Sequence, residues 1–168
     1  MSDYPPSFFS DEIQLVRCIT KEHRTDDYLI STAAYKLRSP EQMRDKKKEK
    51  TLSMRCLKIL SMDEIEDIFW NTILIKEQEY GEICSSTHAV KKINFAGNKT
   101  KVRLLKRTKD GFVFEDNGQE HFAYTNEKKA HTSVHFLRAL NELEENTFAA
   151  HMRNISPKAH VTKRKPKV

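Results

Sequence analysis

Histidine is the residue type that first suggests chemistry in this chain. His121, His131, His135 and His151 fall within 31 residues, and His131 and His135 are four apart. On a helix that spacing puts two imidazoles on one face, as zinc sites require, with Glu120 or Glu142 as further ligands. A metal-dependent enzyme built on the 121–151 cluster is one reading. Against it, no carboxylate stands between the pair and no cysteine lies nearby, so these histidines are expected at the surface or at helix caps. Cys18, Cys56 and Cys84 are odd in number and far apart, which predicts buried free thiols rather than a disulfide or metal framework. Only four glycines are present and none cluster, so there is no phosphate loop. No Gly-x-Ser-x-Gly elbow or HExxH motif occurs. The expectation is a non-enzymatic protein without a cofactor.

Charge carries more information. The 168 residues hold 30 Lys and Arg against 24 Asp and Glu, a net +6. Five of those charges sit at the end, on Lys158, Lys163, Arg164, Lys165 and Lys167, with no acid from Ile155 onward. Residues 61–83 carry seven acids against Lys76, a net −6, and residues 91–109 carry eight bases and no acid. Such a divided field orients a polyanion on one face. The same two segments are also able to attract each other within the fold. The terminal cations suit a flexible clamp for nucleic acid, a nuclear address at Lys163-Arg164-Lys165, or solubility alone.

These charges must be positioned by elements that can be read coarsely. Ser10-Asp11-Glu12 looks like a helix start. Thr25-Asp26-Asp27 repeats the signal, and Ser39-Pro40-Glu41-Gln42 forms a capping box for a helix running toward Leu60. Ser61-Met62-Asp63-Glu64 is another box. It opens a helix with Ile65, Ile68, Phe69 and Ile73 at helical spacing, stopping near Tyr80 with Gly81 beyond. Ser85-Ser86-Thr87 would cap a short helix to about Asn94. Turns at Asp110-Gly111 and Asn117-Gly118 separate short β-type runs and predict a three-stranded antiparallel meander near residues 100–125. Phe112, Phe114, Phe122 and Tyr124 on that sheet are expected under a helix, not as a stacking surface. Thr132-Ser133 opens a helix through Leu143.

The order of acidic helix, short capped helix and basic hairpin resembles a winged helix-turn-helix domain. That likeness implies base contacts from Thr87, His88, Lys91 and Lys92. It implies phosphate contacts from Lys101, Arg103, Lys106, Arg107 and Lys109, with Lys163, Arg164 and Lys165 of the tail adding more.

The fold class expected is therefore α+β and mostly helical. Residues 1–9 would be irregular, 10–154 one domain, and 155–168 a disordered basic tail. The function expected is non-enzymatic nucleic-acid binding, to duplex DNA rather than RNA. The alternative is a protein–protein module, an adaptor or inhibitor, docking through helix 62–80 or 133–145. No segment is apolar enough to span a bilayer, and the start lacks a signal peptide, so no membrane partner and an intracellular, cytoplasmic or nuclear location are expected.

Overall fold

The computed structural model describes residues 13–47, 51–93, 103–108, 111–116, 119–126, 130–136 and 140–166. Its centre is an eight-stranded antiparallel sheet, not a helical body. In chain order the strands are β1 Gln14–Cys18, β2 Thr51–Cys56, β3 Glu82–Ala89, β4 Arg103–Thr108, β5 Gly111–Asp116, β6 Gln119–Asn126, β7 His131–Phe136 and β8 His160–Lys163. They lie in the order β4-β5-β6-β7-β2-β1-β3-β8. Two α-helices, α1 Met62–Ile68 and α2 Glu142–Ile155, pack on it with several short 3₁₀ turns.

The mostly helical expectation is thus corrected, and five assignments fail: Thr25-Asp26-Asp27 makes only a turn between the bridged Arg24 and Ile30, and the other four have identifiable reasons. Ser10, Asp11 and Glu12 lie outside the described residues, and from Ile13 onward the chain is not helical. Ile13, Leu15 and Val16 are buried along β1 and the residue before it. Behind Ser39, among the described residues before β2, only Pro40–Gln42 is helical, although Gln42 Oε1 does accept from the Ser39 N–H at 2.9 Å. The apolar residues that follow, Leu52, Met54 and Cys56, alternate along β2 and enter the core. Residues 82–89, including the expected start of the short helix, form β3, leaving one 3₁₀ turn at Val90–Lys92. Residues 131–136 form β7, and the helix begins later, where the Asn141 side chain accepts from the Glu144 N–H at 2.8 Å. The three β-type runs near 100–125 are no separate meander. They are β4, β5 and β6, the outer part of the large sheet, joined through β6–β7 pairing to β2. The winged-helix layout falls with its recognition helix.

Around β1, β2 and β3 the sheet is covered on both faces. On one, Leu15, Met54, Cys56 and Cys84 pack beneath Ala34, Tyr35, Phe148 and Met152. On the other, Val16 and Ile83 pack against Ile65, Phe69, Trp70 and Leu74. The capping box holds α1, with Glu64 N–H to Ser61 Oγ at 3.2 Å and Ser61 N–H to Glu64 Oε1 at 3.1 Å. A π-turn at Phe69–Ile73 and a 3₁₀ helix at Ile75–Tyr80 continue the path to Gly81, whose φ is +65°. A Cβ there would collide with the Arg164 carbonyl, so the left-handed stop and the close approach of the C-terminal segment both require glycine.

That C-terminal segment is not a disordered tail. β8 pairs with β3 from Glu82↔Lys163 to Ser85↔His160, and Ala159 is buried in the core. Its cations meet the acidic segment. Lys163 Nζ lies 2.5 Å from Glu82 Oε1, Arg164 pairs with Asp67, and Thr162 Oγ1 donates to the buried Glu66 carboxylate. The −6 segment therefore attracts the chain's own end, a pairing the sequence reading did not offer, since it set the acids against residues 91–109.

Candidate functional site

Two cationic places arise from this architecture. The first is the strand the sequence pointed to. β4 stands at one outer edge of the sheet and carries Arg103, Lys106 and Arg107 within six residues. Its ladder with β5 shifts register between Leu104 and Lys106, a β-bulge that breaks regular alternation. Lys101 and Lys109 lie outside the described residues. Among the other expected contacts, Thr87 is half-buried in β3 and His88 is fully buried, with Nε2 3.0 Å from the Met152 carbonyl oxygen. Burial pushes the His88 imidazole down to about 4, so it is neutral at pH 7 and unable to hold a phosphate. Lys91 and Lys92 fall in the 3₁₀ turn after β3, where Lys92 is exposed. Lys163 and Arg164 are engaged inside the fold, and Lys165 is exposed. Of the described residues expected to contact nucleic acid, those of β4 lie against the turn that carries Lys91 and Lys92, while His88 is buried in the core and Lys163 and Arg164 are engaged by acids elsewhere.

The second place was invisible in the sequence. β1 pairs with β2 at only two positions, Leu15↔Cys56 and Val16↔Arg55. Beyond them β2 stays with β7 through Thr51↔His135, while β1 stays with β3 through Cys18↔Ser85. The two strands therefore splay. Arg17 bridges the gap, with Nε donating to Ala34 O at 2.6 Å and Nη1 to Ser53 O at 2.7 Å. Both acceptors are neutral carbonyls. The gap opens into a cleft of about 670 Å³, closed on one side by residues 33–42 and on the other by the π-turn.

The lining chemistry is lopsided. Arg17, Lys36, Arg38 and Arg55 line the cleft, and Glu22 is the one carboxylate among its described lining residues. His23 also lines it, 4.0 Å from Glu22, and burial holds its pKa below the ordinary value, so it adds no charge at neutral pH. Burial likewise lowers the pKa of the Arg55 guanidinium. Arg55 stands opposite His131 in the β2–β7 ladder, and His131 is held down by burial and then by Arg55. Val16, Leu37, Phe69 and Ile73 supply an apolar wall. No window of sequence signals this set. Its cations come from β1, from a loop and from β2, and the apolar spacing around Arg55 fits a helix as well as a strand.

Catalytic groups are not assembled here. Cys18 lines the cleft, but burial pushes its thiol up to about 12, far from a reactive thiolate. Among the described residues no group of three or more His, Cys, Asp and Glu could hold a metal ion. His151 instead places Nε2 2.8 Å from the Lys92 carbonyl oxygen. No helix among the described residues is long and apolar enough to cross a membrane. Of the two helices considered for docking a protein partner, 133–145 begins as β7, and 62–80 is bound through Glu66 and Asp67 to the C-terminal strand. No family model, curated protein or solved structure matches the chain.

Proposed function

We propose that the protein is a non-enzymatic nucleic-acid-binding protein whose contacts are to the phosphate backbone. The observation that carries this reading is the basic edge of the sheet. Residues 91–109 contain eight bases and no acid, and their described part ends in the outermost strand β4. Cations along an edge meet regularly spaced phosphates and carry no base-reading information. With strand β3 over Glu82–Ala89 where a recognition helix would have to start, the proposed binding is sequence-independent. Lys163 and Arg164 do not take part, since their partners are Glu82 and Asp67.

The test is fluorescence anisotropy with labelled duplex DNA, single-stranded DNA and RNA at two salt concentrations. Duplex DNA is expected to bind, with affinity falling steeply as salt rises. Charge reversal at Arg103, Lys106 and Arg107 together should lower the logarithmic salt slope by about 3, near 0.9 for each phosphate no longer neutralised. Unchanged binding in a triple variant that keeps the native thermal melt would overturn the reading.

A further inference from the structure

We propose that β8 is an autoinhibitory strap: docked on β3 and α1 it withholds Lys163 and Arg164, and released it offers them to a polyanion. The inference rests on the nucleic-acid reading and adds to it a second set of phosphate contacts, closed off in the docked form. There, three carboxylates stand where phosphates would. Lys163 Nζ lies 2.5 Å from Glu82 Oε1 and 3.3 Å from Tyr28 Oη, Arg164 pairs with Asp67, and Thr162 donates to Glu66. The Arg164 guanidinium also stands 5.7 Å from the centre of the Trp70 ring. The chain thus holds its own cationic strand with the sign of charge a nucleic acid would bring.

The docking is of a kind that opens locally. β8 is an end strand of the sheet, four residues long, and its ladder runs to β3 alone. Val161 is its one apolar residue and is only partly buried. At the ion pairs the side chains of Lys163 and Asp67 are 70 % and 60 % exposed, so water and salt compete for them. The residues just before the strand are held separately. Ile30 N–H donates to Pro157 O at 2.9 Å, Ala159 N–H donates to Tyr28 O at 2.8 Å, and Ala159 is buried. The strand can therefore leave β3 while residues 157–159 stay in place. An edge element held in this way opens at a lower free energy than the whole domain unfolds. A polyanion that binds only the released form shifts the equilibrium by that difference in affinity.

A native thiol allows the strap to be locked. Val161 stands opposite Cys84, and both belong to one core cluster. Cys84 O accepts from Ile19 N–H at 2.9 Å, so its peptide faces β1 and the 84–161 pair is a non-hydrogen-bonded one, where side chains come closest. Val161→Cys therefore permits a disulfide that holds β8 down and that a reductant opens. The experiment is fluorescence anisotropy with labelled duplex DNA on the oxidised and reduced full-chain variant, with the bond confirmed by peptide mapping and the parent as the reductant control. The reduced form should bind roughly three-fold or more tightly at low salt, with a logarithmic salt slope steeper by about 2, near 0.9 for each of two phosphates. Equal affinity and slope in the two forms overturn the proposal. Charge reversal at Arg103, Lys106 and Arg107 in the oxidised form should abolish the binding that remains. Binding without a redox difference thus removes the strap and keeps the β4 reading, binding by the reduced form alone does the reverse, and no binding by either removes both. Hydrogen exchange on the parent chain needs no disulfide. Thr162 lies opposite Ile83, and Arg164 N–H donates to Gly81 O at 2.6 Å. Duplex DNA should speed exchange at both amides, and unchanged or slower exchange there overturns the proposal.

Discussion

Replacing Thr162 by valine isolates what holds the C-terminal strand. The Thr162 hydroxyl donates to Glu66 Oε2, and Glu66 is only 3 % exposed. Valine keeps the shape of the side chain and removes the donor, so a buried carboxylate is left without that hydrogen bond. A hydrogen bond to a charged group contributes about 1.5–3 kcal/mol, and the destabilisation should be near 2 kcal/mol. For a chain of this size that lowers the melting temperature by roughly 4–8 °C, at ~2–4 °C per kcal/mol. Urea unfolding monitored by circular dichroism gives the value directly, with an unchanged denaturant slope expected. Glu66→Gln provides the cycle. In that background the bond is neutral, Thr162→Val costs about 1 kcal/mol, and the difference of ~1 kcal/mol is the charge-assisted part. A destabilisation below ~0.5 kcal/mol in the parent, the scale of an ordinary surface substitution, would refute the docking of β8 and restore a free basic tail.

Two further expectations concern pH. Glu82 accepts from Tyr28 Oη at 2.6 Å and from Arg24 Nη2 at 3.1 Å, with Lys163 Nζ at 2.5 Å. Lys163 first and then Tyr28 hold its carboxyl below the ordinary 4.5, so its contribution is complete above that pH and is lost as pH falls through the lowered value. Glu82→Gln should destabilise by about 2 kcal/mol at pH 7, because the nearly buried Arg24 loses its carboxylate. The gap between parent and variant urea midpoints should shrink at pH 3, and a constant gap would refute the ion-pair account. His88 behaves in the opposite range. Its pKa of about 4 lies below the ordinary 6.5, so the unfolded chain takes the proton first. Stability is then complete above pH 6.5 and declines by about 3 kcal/mol as pH falls toward 4. Ring-carbon NMR should show His88 unprotonated at pH 5, and a midpoint near 6.5 would contradict its burial.

The errors in reading the sequence have specific physical sources. Met54, Leu57 and Leu60 fit a helical stripe, yet Leu52, Met54 and Cys56 fit a strand equally well, and tertiary pairing with β7 decides. Val134 belongs to both patterns in the same way. Ser85, Ser86 and Thr87 look like caps because hydroxyls usually serve there, but Ser85 and Ser86 are buried in β3. Tyr35, Ser86 and His88 bury polar side-chain atoms together in the core, with His88 Nδ1 lacking a hydrogen-bond partner, a polar interior that no apolar pattern announces. The glycine turns did mark the breaks between β4, β5 and β6, because that chemistry is local. Nothing local tells that the sheet continues to β8. The Ser61 box and the Gly81 stop were legible for the same local reason. The cleft was not legible at all, because it comes from a failure of two strands to stay paired.

The two-position junction between β1 and β2 also bears on how the chain folds. On one side of it, β4 through β7 are consecutive hairpins whose contacts close short loops. On the other side, Leu15 must find His88 and Cys84 must find Val161, each across nearly half the chain. Short loops close quickly and at low entropic cost, and long ones close slowly. The β4–β7 hairpins are therefore expected to close first, with β2, which must find β7 across half the chain, joining later together with β1, β3 and β8. The two-position contact of β1 with β2 thus joins two strands that both depend on distant partners, and a substitution at Val16 or Arg55 should weaken the closure of the whole sheet more than the β4–β7 hairpins.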